Sequence, residues 1–108
     1  IQKAPFGIVG LETAAALTYT ALVKPGILTP MQMAEKMSYN PAKILGLDKG
    51  TVEAGNPADL TIFDPECEWV IDPAEFLSKG KNTPFGGKKV TGKVMATIVD
   101  GEIVYQEK

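Results

Sequence analysis

Apolar residues recur at helical spacing through the first half of the chain and at strand spacing through the second, with the change near residue 50. Leu11 to Val23 (LETAAALTYTALV) is alanine-rich, and Glu12 sits in its first turn, where it complements the positive end of a helix dipole. Leu11, Ala14, Ala15, Ala21 and Leu22 fall on one broad side, so this segment is expected as a buried helix stopped by Lys24-Pro25-Gly26. Thr29-Pro30-Met31-Gln32 has the form of a capping box with proline at the first helical position, flanked by Leu28 and Met33 as a hydrophobic staple. Met33 and Met37 then stack at i, i+4 toward the core; such a stripe marks a core face more often than a binding groove. A third, short helix is expected from Asn40-Pro41 through Leu45, closing at Gly46.

In the second half, Ala58 to Asp64 (ADLTIFD) alternates, with Leu60 and Ile62 on one face and Thr61 and Phe63 on the other. Glu68 to Asp72 (EWVID) is a second candidate strand, and Thr51-Val52-Glu53 a short one before Ala54-Gly55-Asn56-Pro57. Val94 to Val99, Asp100-Gly101 and Glu102 to Tyr105 form a strong short-range hairpin signal. Ser78 to Lys89 (SKGKNTPFGGKK) is rich in Gly, Lys and Pro and is expected as a loop. There is no internal repeat and no low-complexity tract.

Composition changes this picture chiefly by what is missing. With 108 residues, 44% hydrophobic, 22% charged and a net charge of −2, the chain has the makings of one globular domain rather than a disordered segment. No apolar run approaches the roughly 20 residues that span a bilayer, and no basic-then-apolar leader opens the chain. A single cysteine, Cys67, cannot form an internal disulfide, which fits a reducing cytoplasm. There is no histidine and no arginine. Triads built on histidine are therefore excluded, the usual zinc sites cannot be assembled, and the preferred bidentate reader of phosphate and carboxylate is missing. A self-contained hydrolase is not expected. The opening Ile1-Gln2-Lys3, without an initiator Met, reads as part of something longer.

Several local patterns carry less chemistry than they first offer. Gly50-x4-Gly55 has P-loop glycine spacing but continues with Asn56-Pro57 in place of Lys-Ser/Thr, and is read as a turn. Gly7-x-x-Gly10 before a helix offers main-chain N–H groups to an anion, but such glycines are more often turn residues. Lys79, Lys81, Lys88, Lys89 and Lys93 lack arginine and interleaved aromatics, so a solvated loop is the better reading than a nucleic-acid surface. Glu66 and Glu68, on one face of a strand, make a polar face rather than an acid–base pair. Acidic neighbours dull Cys67 as a nucleophile. No catalytic site is assigned, and the main chain around Gly7 is the one place kept open.

Ala4-Pro5-Phe6-Gly7-Ile8-Val9-Gly10-Leu11-Glu12-Thr13 closely resembles the segment that follows the last barrel strand of class I dihydroorotases. Gly55-Asn56-Pro57-Ala58-Asp59-Leu60-Thr61-Ile62-Phe63-Asp64 resembles the return strand of the amidohydrolase superfamily. Ser78-Lys79-Gly80-Lys81-Asn82-Thr83-Pro84-Phe85, and Gly92-Lys93-Val94 through Asp100-Gly101, are similar to the rest of the same C-terminal pattern. The last three blocks are shared with hydantoinases and allantoinases; the first is the more specific to dihydroorotase.

The resemblance implies a fold and a division of labour. The family fold is a metal-dependent (β/α)₈ barrel beside a small β-sandwich, and the barrel alone takes about 250 residues. This chain is then an α+β fragment: residues 1–49 the terminal helices of the barrel, residues 50–108 the C-terminal strands of the composite sandwich. The implied reaction is reversible cyclisation of N-carbamoyl-L-aspartate to dihydroorotate in pyrimidine biosynthesis. In the family, zinc held by histidines, an aspartate and usually a carboxylated lysine activates a bridging hydroxide. None of those ligands lies in this chain, so the zinc belongs to the full-length parent and the isolated fragment is expected to be inactive. What carries over is substrate binding at Phe6 and Gly7, where family members hold the ring with main-chain groups; the competing reading is that Pro5-Phe6-Gly7 merely shapes the turn. Implied partners are the small-molecule substrate, the rest of the dihydroorotase chain, and a homodimer or aspartate transcarbamoylase association, with no nucleic acid and no membrane. Two alternatives stay open: a hydantoinase- or allantoinase-like fragment, and a non-catalytic scaffold subunit.

Overall fold

The computed structural model describes residues 3, 4 and 6–108; Ile1, Gln2 and Pro5, the last within the Ala4–Thr13 block, lie outside the described residues. The order of elements is helical first and strand second, an α+β arrangement. Helix α1 (Ala14–Thr18) runs on into a π turn (Tyr19–Val23), closed by an i→i−5 bond from the Lys24 N–H to the Tyr19 carbonyl at 2.9 Å. It begins three residues later than expected. Thr13, at φ −115°, is the residue that caps it, and Glu12 is not in the first turn. The buried side of α1 also differs from expectation: Ala16 is 4% exposed and Val23 is buried, whereas Leu11 is 98% exposed and Leu22 and Ala21 face outward. The true inner stripe passes through Thr13, Ala16 and Val23 at spacings of three and seven, which alanine counting does not single out.

The capping box forms as expected. Thr29 Oγ1 accepts from the Gln32 N–H at 3.1 Å, and Gln32 Oε1 accepts from the Thr29 N–H at 2.9 Å. Leu28 and Met33 are half-buried, but Met37 is exposed rather than turned to the core. The second and third expected helices are one rod: α2 (Pro30–Ala34), a π turn (Glu35–Tyr39) and α3 (Asn40–Ile44) follow without a break. Pro41 supplies no N–H, and its ring collides with the i−4 carbonyl of a regular helix. The wider i→i−5 bond from the Asn40 N–H to the Glu35 carbonyl just before it absorbs that misfit. The rod ends at Gly46 as expected, with the Gly46 N–H on the Lys43 carbonyl and the Leu47 N–H on the Ala42 carbonyl, a Schellman closure.

Three antiparallel strands, β1 (Leu60–Val70), β2 (Lys89–Val99) and β3 (Glu102–Gln106), form one sheet in the order β1-β2-β3. The two strands expected at Ala58–Asp64 and Glu68–Asp72 are thus one long strand with a detour. Register slips between Asp64 and Glu68, where Pro65 cannot donate to a ladder and the Glu66 N–H turns back onto Asp64 Oδ1 at 2.9 Å. A second slip between Ile62 and Phe63 breaks the expected alternation: Ile62 is exposed, while Phe63 packs on Tyr19 at 5.6 Å between ring centroids. Thr51–Glu53 is not a strand; Asn56 closes a turn on the Glu53 carbonyl and bonds Thr51 Oγ1 with its amide. The hairpin turn is as expected, with Asp100 at φ 53° and Gly101 at φ 80°, the primed geometry that matches strand twist. It is anchored from outside by Asp59 Oδ1, which accepts the Asp100 N–H at 2.8 Å, and by the Ala58 carbonyl.

Helix α1 lies on β2. Ala16, Ile71 and Val90 form the buried centre, with Leu17, Trp69, Phe76 and Phe85 packed around it. Fully burying Ile71 and Val90 contributes about 1.5–3 kcal/mol each. A reciprocal pair of bonds pins the helix in place: Thr20 Oγ1 donates to the Thr91 carbonyl at 3.1 Å and accepts from its N–H at 2.9 Å. This packing carries the loop that precedes α1 to the side of the segment between β1 and β2.

Candidate functional site

Two segments far apart in sequence, residues 6–13 and 76–82, meet at this place. Their junction is polar and mostly main-chain. Glu12 Oε1 accepts the Leu77 N–H at 3.1 Å and Oε2 the Ser78 N–H at 3.2 Å, so one carboxylate holds two consecutive amides. Asn82 brackets the other end: its side-chain amide donates to the Gly7 carbonyl, and its own carbonyl accepts the Val9 N–H at 3.0 Å. Gly80 completes the fit by proximity, since a Cβ there would stand 2.7 Å from Val9 Cγ1. Beyond Gly10, whose carbonyl accepts the Ala14 N–H at 2.9 Å, Thr13 is 1% exposed with its hydroxyl turned back on the same carbonyl.

A cavity of about 540 Å³ opens between the segments, lined by residues 8–13 of one and Phe76, Leu77 and Ser78 of the other. Its wall is largely apolar, and the one carboxylate on it is engaged by the backbone. Phe6 is fully exposed beside it, and a Cβ on Gly7 would meet nothing within 4 Å. The two residues picked from the resemblance are thus exposed and immediately precede Ile8, the first lining residue, at the open rim of that segment; neither lines the cavity itself. Glu12 and Asn82, which hold that rim, were not singled out as positioning residues from sequence. The amides of Gly7 to Gly10 do not form the N-terminus of α1, which starts at Ala14, so the anion-site reading of Gly7-x-x-Gly10 is not supported.

The remaining candidates disperse. Lys89 pairs with Glu68 at 3.0 Å and Lys93 with Glu107 at 2.9 Å; both lysines stand on β2 rather than in a loop. Lys93 also lies 5.5 Å from the Trp69 ring centre, and Lys88 5.9 Å from that of Phe85. Glu66 sits in the detour of β1 and Glu68 is engaged by Lys89, so the two do not work as a pair. Perturbed titrations belong to the sheet and its anchor, away from Phe6 and Gly7. The Lys49 ammonium, with help from the Asp100 amide, holds Asp59 below its ordinary value. Lys89 does the same for Glu68, and the Tyr105 hydroxyl and Lys93 for Glu107. Among the described residues no three His, Cys, Asp or Glu side chains stand close enough to hold a metal ion. The donor set does not fit a zinc site.

A model of the amidohydrolase family matches residues 5–104. The chain is 54% identical over 105 residues to a dihydroorotase of Pelotomaculum thermopropionicum, covering 97% of this chain and 25% of that protein. It is 50% identical over 108 residues to a dihydroorotase of Halalkalibacterium halodurans, covering 100% of this chain and 25% of that one. Among solved structures it is similar to an L-hydantoinase of Arthrobacter aurescens, with a TM-score of 0.90 and 37% identity over 97% of this chain and 24% of that chain. A D-hydantoinase of Thermus sp. matches with a TM-score of 0.88 and 28% identity over 97% of this chain and 23% of that chain. The chain spans about a quarter of the length of the curated relatives it matches.

Proposed function

Because this chain belongs to the amidohydrolase family, we propose that it is the C-terminal portion of a cytoplasmic dihydroorotase and that it serves that enzyme by holding the substrate ring. The observation that carries the reading is identity above 50% with dihydroorotases along nearly the whole chain, against 37% and less with the hydantoinases of like fold. In this reading residues 1–49 are the last helical part of the (β/α)₈ barrel and residues 50–108 the C-terminal strands of the composite sandwich. The exposed faces of Leu11, Leu22 and Ile103 are then covered by the rest of the parent.

The parent cyclises N-carbamoyl-L-aspartate to dihydroorotate and runs the reverse hydrolysis. Zinc is held by the remainder of that protein, since the residues here do not fit it. The contribution of this chain is positional. Phe6 and Gly7 present peptide groups at the open rim, where N–H and C=O pair with a cyclic amide or a carboxylate, and the absence of a Gly7 side chain permits close approach. Contacts of this kind, made alike in ground and transition states, lower KM more than they raise kcat.

The test is dihydroorotate hydrolysis by the protein extended upstream through its own reading frame, with the 108-residue chain as control. Metal-dependent turnover by the long form supports the reading. A folded long form that hydrolyses hydantoin but not dihydroorotate overturns it. At the rim, Gly7→Val tests substrate contact, because a Cβ added there meets nothing within 4 Å. A raised KM is expected, and unchanged KM and kcat would return Gly7 to a turn-forming role.

A further inference from the structure

We infer that Glu12 and Asn82 are positioning residues, a two-point clamp that fixes which way the Gly7 peptide faces and so sets substrate affinity at the rim. This rests on the proposed role of Phe6 and Gly7. The geometry behind it is specific. A loop opening onto solvent with glycines at Gly7 and Gly10 has many main-chain orientations of similar energy. Here two bonds from one residue, Asn82, seize it on both sides of Ile8: the side-chain amide takes the Gly7 carbonyl and the Asn82 carbonyl takes the Val9 N–H. Since C=O and N–H of a trans peptide point in opposite directions, turning the Gly7 carbonyl toward Asn82 turns the Ile8 N–H away from the 78–82 segment. That N–H is a donor suited to a ring carbonyl or carboxylate.

Asn82 can act this way only if its own segment is held, and Glu12 does that. Its two oxygens engage the Leu77 and Ser78 amides, so the segment that carries Asn82 is tied to the chain that leads from Gly7 into α1. The loop bearing Gly7 thus holds the segment that in turn holds Gly7. Gly80 sets the closeness of the two segments, with Val9 Cγ1 filling the space a side chain there would take.

The test uses the full-length parent loaded with its metal, and reads kcat and KM separately for dihydroorotate and hydantoin. Asn82→Asp keeps size but replaces the donor with an oxygen facing the Gly7 carbonyl. KM is expected to rise about tenfold with kcat within about twofold and unchanged metal content and melting temperature. Glu12→Gln keeps shape and loses one of two acceptors, and about a threefold rise in KM is expected. Unchanged KM in a folded Asn82→Asp protein overturns the clamp, as does a fall in kcat and melting temperature together at constant KM. If Asn82→Asp does not fold, Glu12→Gln decides in the same way. A wild-type parent that turns over only hydantoin refutes the dihydroorotase reading, and the clamp is then judged by KM for hydantoin. A folded parent inert toward both rings overturns both.

Discussion

Gly92 is the position where a single carbon atom should cost most. It is buried on β2 at φ +103°, opposite the Pro65–Cys67 detour of β1, and its carbonyl accepts the Trp69 Nε1–H at 2.8 Å. A Cβ there would stand 2.4 Å from Phe63 Cζ and 3.0 Å from Cε1. The backbone strain of an L side chain at such a φ costs about 1–2 kcal/mol. Forcing the Phe63 ring aside adds an overpacking cost of about 1–3 kcal/mol, since the ring is also packed on Tyr19. Gly92→Ala should therefore destabilise β2 locally by about 3 kcal/mol, which accelerates exchange of its protected amides about a hundredfold. Gly101→Ala is the control: its φ is +80° but nothing lies within 4 Å of the added Cβ, so strain alone acts, about 1 kcal/mol and about a fivefold acceleration. Hydrogen exchange with mass spectrometry on the 89–99 peptide of the full-length parent reads both. Adding Phe63→Ala to Gly92→Ala should recover part of the loss, because the ring is the obstacle. If Gly92→Ala exchanges within about threefold of Gly101→Ala, the steric reasoning is wrong.

Gly80→Ala should push Val9 off the 78–82 segment and raise KM of the parent for dihydroorotate while leaving kcat near wild type, as steady-state kinetics will show; an unchanged KM would mean that the contact yields freely. Thr29→Ala removes the acceptor for the Gln32 amide and should destabilise the start of α2 by about 1 kcal/mol, read as faster exchange in the 30–34 peptide. Asp59 titrates below its ordinary value of 3.8 because of Lys49 and the Asp100 amide. Its contribution to hairpin anchoring is therefore complete above that value and is lost as pH falls through the lower folded value. A carboxyl NMR titration of Asp59 should have its midpoint below 3.8, shared by the Asp100 amide shift, and Asp59→Asn should abolish the amide transition. The 108-residue chain alone, with zinc added, should show no hydrolysis of dihydroorotate; zinc-dependent turnover by it would refute the assignment of the metal to the rest of the parent.

What could be read from the sequence was whatever depends on neighbours within a few residues. The capping box at Thr29, the Schellman stop at Gly46 and the Asp100-Gly101 turn are local bargains between adjacent side chains and backbone, and each formed as expected. Errors came where a distant element decided. The inner side of α1 follows from its contact with β2, through Thr20 and Thr91, so Ala16 is covered and Leu11 is not. The alternation through Ile62 and Phe63 failed because β1 slips in register against β2 between them. Pro41 looked like a helix start, and the chain instead absorbed it with a π turn whose widened bonding no residue pattern announces.

The candidate site shows the same limit most sharply. Phe6 and Gly7 came to notice through resemblance, while the groups that hold them had ordinary local explanations: Glu12 as a helix-dipole residue, Asn82 as a polar position in a lysine-rich loop. Their partners are 65 to 75 residues away, and all three bonds end on main-chain atoms, which carry no residue identity. No periodicity encodes such a pairing. What the sequence does carry is a small asymmetry: Glu12 is the one charged residue from Ala4 to Val23, set in an otherwise small and apolar run. Exposed to solvent, this carboxylate needs no partner to stay charged, yet its two oxygens accept the main-chain amides of a loop brought alongside. An isolated charge in an apolar approach to a helix is thus a reason to look for an opposing loop, and the Leu77–Ser78 amides are that loop's answer in this fold.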